Sequence, residues 1–292
     1  MSELTKRVVV AAVGIPVVLR LVFLGGWYLA IPLSALAALG ALELYRLGAG
    51  AGIAPLSPLG ASGAAGLVLL AAWQPTLRGF APWAVALLGA LTASALVLAI
   101  FVRGPGKEPL STTAVTLFGA VYIGLSLAVV PLLHSLPVLR GWAPDTGDRW
   151  SGVLVLALPL AATWVGDACA YFAGTAWGKS RLAPSISPKK SWVGFWADLV
   201  GAGAAAAVWF VVIQPRLPGL SLGLAVTVGV GVLLGLGAVA GDLVESLLKR
   251  EAGVKDSGTF FPGHGGVLDR IDALTFTLPL AYVALALLGG GD

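Results

Sequence analysis

Apolar residues along this chain run in long blocks that have no polar face. Nine such blocks stand out, at about 8–24, 27–47, 58–74, 81–102, 111–133, 152–176, 194–213, 220–241 and 271–289. A run of roughly 18 or more apolar residues spans a bilayer as a helix. A membrane barrel would show alternating segments of about ten residues, and these blocks are longer and apolar on every side. Gly25-Gly26, Pro55 to Pro58, Gly104-Pro105-Gly106 and Pro215 to Gly219 punctuate them, as turn-forming residues do between helices. Two connections, 177–193 and 242–270, are long and polar.

Composition agrees with that pattern. The chain has 292 residues, 58% of them hydrophobic and 11% charged, against about 25% charged in a soluble domain. Polar surface is too scarce to cover a water-soluble globule of this size. The single cysteine, Cys169, excludes an intrachain disulfide and a cysteine-rich metal site. The expected fold is an all-α polytopic integral membrane protein of about nine transmembrane helices, with the two polar loops carrying the active site. Residues 1–150 form about five N-terminal spans, and 151–292 form a catalytic region of about four.

Charge sets the orientation. With nine spans and an inner N-terminus, both long connections face the cytoplasm. Thirteen basic residues then lie inside: Lys6, Arg7, Arg46, Arg103, Lys107, Lys179, Arg181, Lys189, Lys190, Lys249, Arg250, Lys255 and Arg270. Five lie outside: Arg20, Arg78, Arg140, Arg149 and Arg216. Short cytoplasmic loops carry the excess of Lys and Arg, so the opposite orientation is rejected. The net charge of +4 suits work beside anionic lipid.

The stretch 242–272 concentrates the polar chemistry. Six of the 14 acidic residues fall here: Asp242, Glu245, Glu251, Asp256, Asp269 and Asp272. Lys249, Arg250, Lys255, Arg270 and His264 lie among them. Alternating carboxylates and cations at a membrane surface suit a metal-bound polyphosphate. Mg²⁺ takes one or two carboxylates plus substrate phosphates, and Lys and Arg neutralise the remaining phosphate charge. Asp242 and Glu245 are three apart, on one helix face at the end of the eighth block. Asp269 and Asp272 repeat the spacing at the start of the ninth, so two carboxylate pairs could flank one or two metals. The plain alternative is a set of solvated charges at helix ends.

The run Ser246-x-Leu248-Lys249-Arg250-x4-Lys255-Asp256-x-Gly258-x2-Phe261-Pro262-x-His264-Gly265-Gly266-Val267-x-Asp269-Arg270-Ile271-Asp272 resembles the signature of the phosphatidate cytidylyltransferase (CDP-diacylglycerol synthase) family. A second element is similar upstream: Asp167-x-x-Ala170-Tyr171-x-x-Gly174, followed by Ser187-Pro188-Lys189-Lys190-Ser191-Trp192. The resemblance is strong from about 160 to 275. Before that, only hydrophobicity agrees. The family commonly has Glu where this chain has Val193, so no acidic role falls to 191–194.

The resemblance implies transfer of a cytidylyl group from CTP to phosphatidate, giving CDP-diacylglycerol and pyrophosphate, with one or two divalent ions such as Mg²⁺. A monovalent cation and a homodimer are compatible with it, and no nucleic-acid partner is expected. On this reading Asp242 and Asp269 are metal ligands, and Asp242, Asp269, Lys190 and Asp167 are catalytic. Lys189, Lys249, Arg250, Lys255, His264 and Arg270 bind substrate. The protein belongs in the cytoplasmic membrane, with its active site on the cytoplasmic side.

Three further acids lie in apolar blocks. Asp167 is weighed between a functional group, because intramembrane carboxylates are costly, and a hydrogen-bonded structural Asp facing Thr163 or a neighbouring helix. Glu43 near Arg46 reads equally as a snorkelling side chain or a functional one, and Asp198 has no motif support. Trp142, Trp150 and Trp192 at segment ends read as interface anchors. Ala173-x4-Gly178-Lys179-Ser180 fits a loose P-loop pattern but lacks the strand that such a loop follows. Gly229, Gly231, Gly235, Gly237 and Gly241 read as a close-packing stripe. Two other functions compete: a CTP-dependent enzyme for another lipid phosphate or a polyprenol, and an ion-coupled transporter using Asp167, Glu43 and Asp198. The transporter reading leaves the 242–272 cluster idle.

Overall fold

Glycine and proline set the helix ends that the apolar blocks leave open. In the computed structural model, which describes residues 3–261 and 265–290, α1 (Glu3–Leu24) stops at Gly25-Gly26, both at positive φ (62° and 49°). That conformation is steric strain for a residue with a Cβ and routine for glycine. Helices α2 (Gly26–Gly50), α3 (Ser57–Trp73) and α4 (Leu77–Val102) follow. Next come α5 (Pro109–Gly119), a π-helical segment (Ala120–Leu125) and α6 (Ser126–Leu139) as one continuous rod, then α7 (Trp150–Trp177). A hairpin of β1 (Arg181–Ala183) and β2 (Ser187–Ser191) leads into α8 (Trp192–Val212). The chain closes with α9 (Leu224–Glu251), a short α10 (Leu268–Ile271) and α11 (Leu274–Leu288).

Among the described residues, seven helices are long and apolar enough to cross a membrane: Gly26–Gly50, Leu77–Val102, Pro109–Leu139, Trp150–Trp177, Trp192–Arg216, Leu224–Glu251 and Leu268–Leu288. Two shorter apolar helices, Gly14–Leu24 and Ser57–Trp73, occupy the first and third blocks. The protein is an all-α membrane protein apart from the small hairpin in the 177–193 connection, which periodicity did not predict. The other polar connection is shorter than expected. Helix α9 runs on to Glu251, so Asp242 to Arg250 are helical and not loop. Lys and Arg in its last turn suit the negative end of the helix dipole.

The chain divides into two units. The first comprises Met1–Leu132 and Leu248–Ile271. In it α2 and α3 pack closely around small residues. Tyr45 threads between Gly60 and Gly119, and its hydroxyl donates to the Thr116 carbonyl (2.7 Å). Gly124 of the π segment lies against the α3 backbone, where a Cβ would come within 2.7 Å of Ala64 Cα. Helix α4 shows Leu96, Val97, Ile100 and Phe101 outward, an apolar face of the kind that lipid covers.

The second unit comprises Leu133–Leu247 and Asp272–Asp292. Here the glycine stripe of α9 works as close packing. A Cβ on Gly231 would meet the Ala202 carbonyl at 2.7 Å, and one on Gly237 would meet Leu280 at 2.6 Å. Trp142 is not an interface anchor. It is fully buried and its indole N–H donates to the Gly290 carbonyl (3.0 Å). Trp150 and Trp192 are exposed.

Candidate active site

In the second unit a carboxylate group forms where α9 meets the start of the last helix. Gly241 makes this possible, since a Cβ there would sit 2.5 Å from the Asp272 carbonyl oxygen. Its neighbour Asp242 and, one turn on, Glu245 therefore face Asp272. One ligand oxygen from each of Asp242, Glu245 and Asp272 lies within 4.8 Å of the others, a group that could hold a metal ion. Glu245 is completely buried. At this spacing each like-charged pair repels by about 3 kcal/mol at an effective dielectric near 20. A cation would offset that repulsion, and an all-oxygen donor set fits a hard divalent one.

Lys190 supplies one positive charge. Its Nζ stands 2.7 Å from Asp242 Oδ2, and Ser246 Oγ donates to Asp242 Oδ1 at 3.4 Å. The hairpin places it. In β2 successive side chains alternate in direction, so Lys189 is exposed while Lys190 is partly buried. Ser191 then ends the strand and caps α8, its Oγ accepting from the Gly194 N–H (3.1 Å). A serine at that position satisfies one of the helix's orphan donors. The run Ser187-Pro188-Lys189-Lys190-Ser191 is thus a strand that delivers a lysine and then starts a helix.

Asp167 belongs to the same unit, in α7, and lies within electrostatic reach of Asp242, Lys190 and Asp272. The Thr163 hydroxyl does not serve it. That hydroxyl donates to the Pro159 carbonyl (2.8 Å) and lies 3.3 Å from Thr277 Oγ1. Asp167 is exposed, whereas Asp198 of α8 is buried, 1% exposed. Gly166 and Gly235 make room for its Oδ1, which among the described residues has no hydrogen-bond partner.

In the first unit the site residues gather around Asp269. Lys249 Nζ pairs with its Oδ1 at 2.8 Å. Its Oδ2 accepts from the backbone N–H groups of Ser257 (3.0 Å) and Gly266 (2.8 Å), and lies 3.0 Å from Ser257 Oγ. Gly265, at φ 83°, folds the segment tightly enough that a Cβ there would come 2.6 Å from Asp269 Oδ2. Arg250, Lys255 and Arg270 are exposed, and Arg250 Nη1 reaches the Val254 carbonyl (3.2 Å). His264 lies outside the described residues.

Glu43 is the residue that sequence reasoning undervalued. It is 3% exposed, so it does not snorkel beside Arg46. Its Oε2 accepts from Ser257 Oγ (3.1 Å) and from the Leu268 N–H (2.8 Å). A carboxylate inside an apolar block was the available signal, and the cost of burying it was the reason to expect a partner.

The fold and site together define a polytopic membrane protein with lysine–carboxylate pairs and an oxygen-donor cluster. The profile of the cytidylyltransferase family matches residues 5–288, and the chain belongs to that family. It is 34% identical over 309 residues to a phosphatidate cytidylyltransferase of Synechocystis, covering 97% of each chain. It is 32% identical to the chloroplastic phosphatidate cytidylyltransferase 5 of Arabidopsis thaliana, covering 92% of this chain and 68% of that one. With the enzyme of that name from Haemophilus influenzae it shares 41% identity over 140 residues, 46% of each chain. The similarity thus extends well before residue 160, where the sequence alone offered only hydrophobicity.

Proposed function

We propose that the chain is a phosphatidate cytidylyltransferase, joining CTP and phosphatidate into CDP-diacylglycerol and pyrophosphate. The observation that carries this reading is the Lys190–Asp242 pair beside Glu245 and Asp272. It sets a cation and an oxygen-donor metal cluster together within the family's two motif regions. In the reaction an ionised oxygen of the lipid phosphate attacks the α-phosphorus of CTP. The bond from that phosphorus to the bridging oxygen breaks, and its electron pair leaves with pyrophosphate. The nucleophile already carries its charge near neutral pH, so the residues need only orient the two phosphates and neutralise them.

Mg²⁺, when bound, would neutralise charge on the triphosphate; Asp242 and Asp269 are the ligands assigned from the sequence, and Glu245 and Asp272 stand beside Asp242. Lys189 and Lys190 hold the lipid phosphate. Lys249, Arg250, Lys255, Arg270 and His264 bind the triphosphate. Asp167 helps to orient Lys190, which lies within electrostatic reach of it. All nine apolar helices cross the membrane, the two short ones included, since 17 residues in α3 reach about 25 Å. The hairpin and the α9–α10 connection then face the cytoplasm, the side with most of the Lys and Arg. The transporter reading loses one of its three acids, because Glu43 is engaged with Ser257 and Leu268.

Purified protein supplied with CTP, phosphatidate and Mg²⁺ should release pyrophosphate only when both substrates are present. Release that ignores phosphatidate, with another lipid phosphate or a polyprenol taking its place, would move the protein to a different acceptor.

A further inference from the structure

Glu43 lies about 200 residues before the signature that it touches, and the reaction as described makes no use of it. Three observations tie it to the segment 257–269. Its Oε2 accepts from Ser257 Oγ (3.1 Å) and the Leu268 N–H (2.8 Å). The same Ser257 hydroxyl lies 3.0 Å from Asp269 Oδ2, so one hydroxyl stands between two carboxylates. Gly258 and Gly266 pack directly on Glu43. A Cβ on either would overlap a Glu43 carboxylate oxygen. Two glycines of the signature are therefore explained by a side chain outside it.

Chemistry narrows the role. A buried carboxylate in an apolar helix is costly unless it is hydrogen-bonded, and here the donors come from the segment that carries Asp269. A hydroxyl has one proton to donate. Asp269 Oδ2 already takes two backbone N–H groups, which leaves the hydroxyl proton for Glu43. Glu43 thereby fixes the hydroxyl and the Leu268 amide, and both flank Asp269. Asp269 itself is paired with Lys249.

We propose that Glu43 is a positioning residue for Asp269: from α2 it holds the Ser257 hydroxyl and the Leu268 N–H, and so sets the aim of the Asp269 carboxylate. It touches no substrate. Its removal should loosen Asp269 and leave the remaining binding groups in place.

The test uses the full-length protein in detergent, and its first readout requires no activity. Hydrogen–deuterium exchange of a peptide covering 256–271 should speed up at least about tenfold in Glu43→Ala, the size of one lost charge-assisted hydrogen bond. Peptides from α7 and α8 should be unchanged. Glu43→Gln, which keeps an acceptor oxygen, should restore much of the protection. The kinetic arm rests on the cytidylyltransferase reading. There Glu43→Ala should lower kcat about tenfold or more, with KM for both substrates within about twofold, as expected when groups are misaimed and binding is kept. Should Glu43→Ala fail to fold, Ser257→Ala removes the hydroxyl link alone and should show the same exchange change with smaller size. Unchanged exchange over 256–271 in both variants would overturn the proposal, whether or not the wild-type protein turns over phosphatidate. Faster exchange with an unchanged kcat would overturn the positioning role as well.

Discussion

Lys190 Nζ stands 2.7 Å from Asp242 Oδ2, and both lie in the same unit of the chain. A second lysine–carboxylate pair, Lys249 with Asp269 at 2.8 Å, lies in the other unit. Asp242 and Asp269 therefore each already carry one ammonium partner. If the two lysines serve different phosphates, their loss will be felt by different substrates. Lys190→Ala should raise KM for phosphatidate about tenfold, the size of one charge-assisted contact, and KM for CTP much less. Lys249→Ala should do the reverse. Steady-state kinetics on both variants check this, and equal effects on the two substrates would mean one shared phosphate pocket.

Asp242→Asn and Asp269→Asn keep side-chain shape and remove charge. Each should lower kcat/KM at least about 100-fold, comparable to losing a preorganised electrostatic contact, in protein that still folds in detergent. A folded Asp269→Asn protein with near wild-type activity would remove Asp269 from the metal site.

Much of this was legible in the sequence, for identifiable physical reasons. The apolar blocks gave the helices because lipid enforces long uninterrupted runs. The i, i+3 spacing of Asp242 and Glu245 correctly put both on one face, and Glu245 and Asp272 join in one cluster. Helix α9 outran its apolar block because Leu247, Leu248 and the basic last turn continue the helix in polar sequence. The 181–191 hairpin escaped notice because two strands of three and five residues leave no periodic trace. Glu43 escaped because its partners are more than 200 residues away, and nothing local in α2 marks a contact with Ser257. Trp142 was misread for the same reason, since its bond to Gly290 joins distant parts of the chain.

If the cluster of Asp242, Glu245 and Asp272 holds the proposed divalent ion, activity will depend on that ion. Chelation with EDTA should abolish turnover, and added Mg²⁺ should restore it. Asp272→Asn should raise the Mg²⁺ concentration for half-maximal activity roughly tenfold, within the range for residues that support a metal. An unchanged Mg²⁺ requirement would place the ion away from Asp272.

Orientation is open to direct labelling. In a Cys169→Ala background, single cysteines at Ser187 and Gly290 should react with a membrane-impermeant reagent from opposite sides, Ser187 from the cytoplasm. Labelling of both from one side would contradict nine crossings.

The central claim is transfer of the α-phosphoryl group of CTP, with its nucleoside, to a lipid phosphate. Purified protein incubated with phosphatidate, Mg²⁺ and CTP labelled at the α-phosphorus should move the label into the organic phase, while label at the γ-phosphorus should stay in the aqueous phase as pyrophosphate. No lipid-soluble α-label above the enzyme-free control, from protein shown to be folded, would contradict the account.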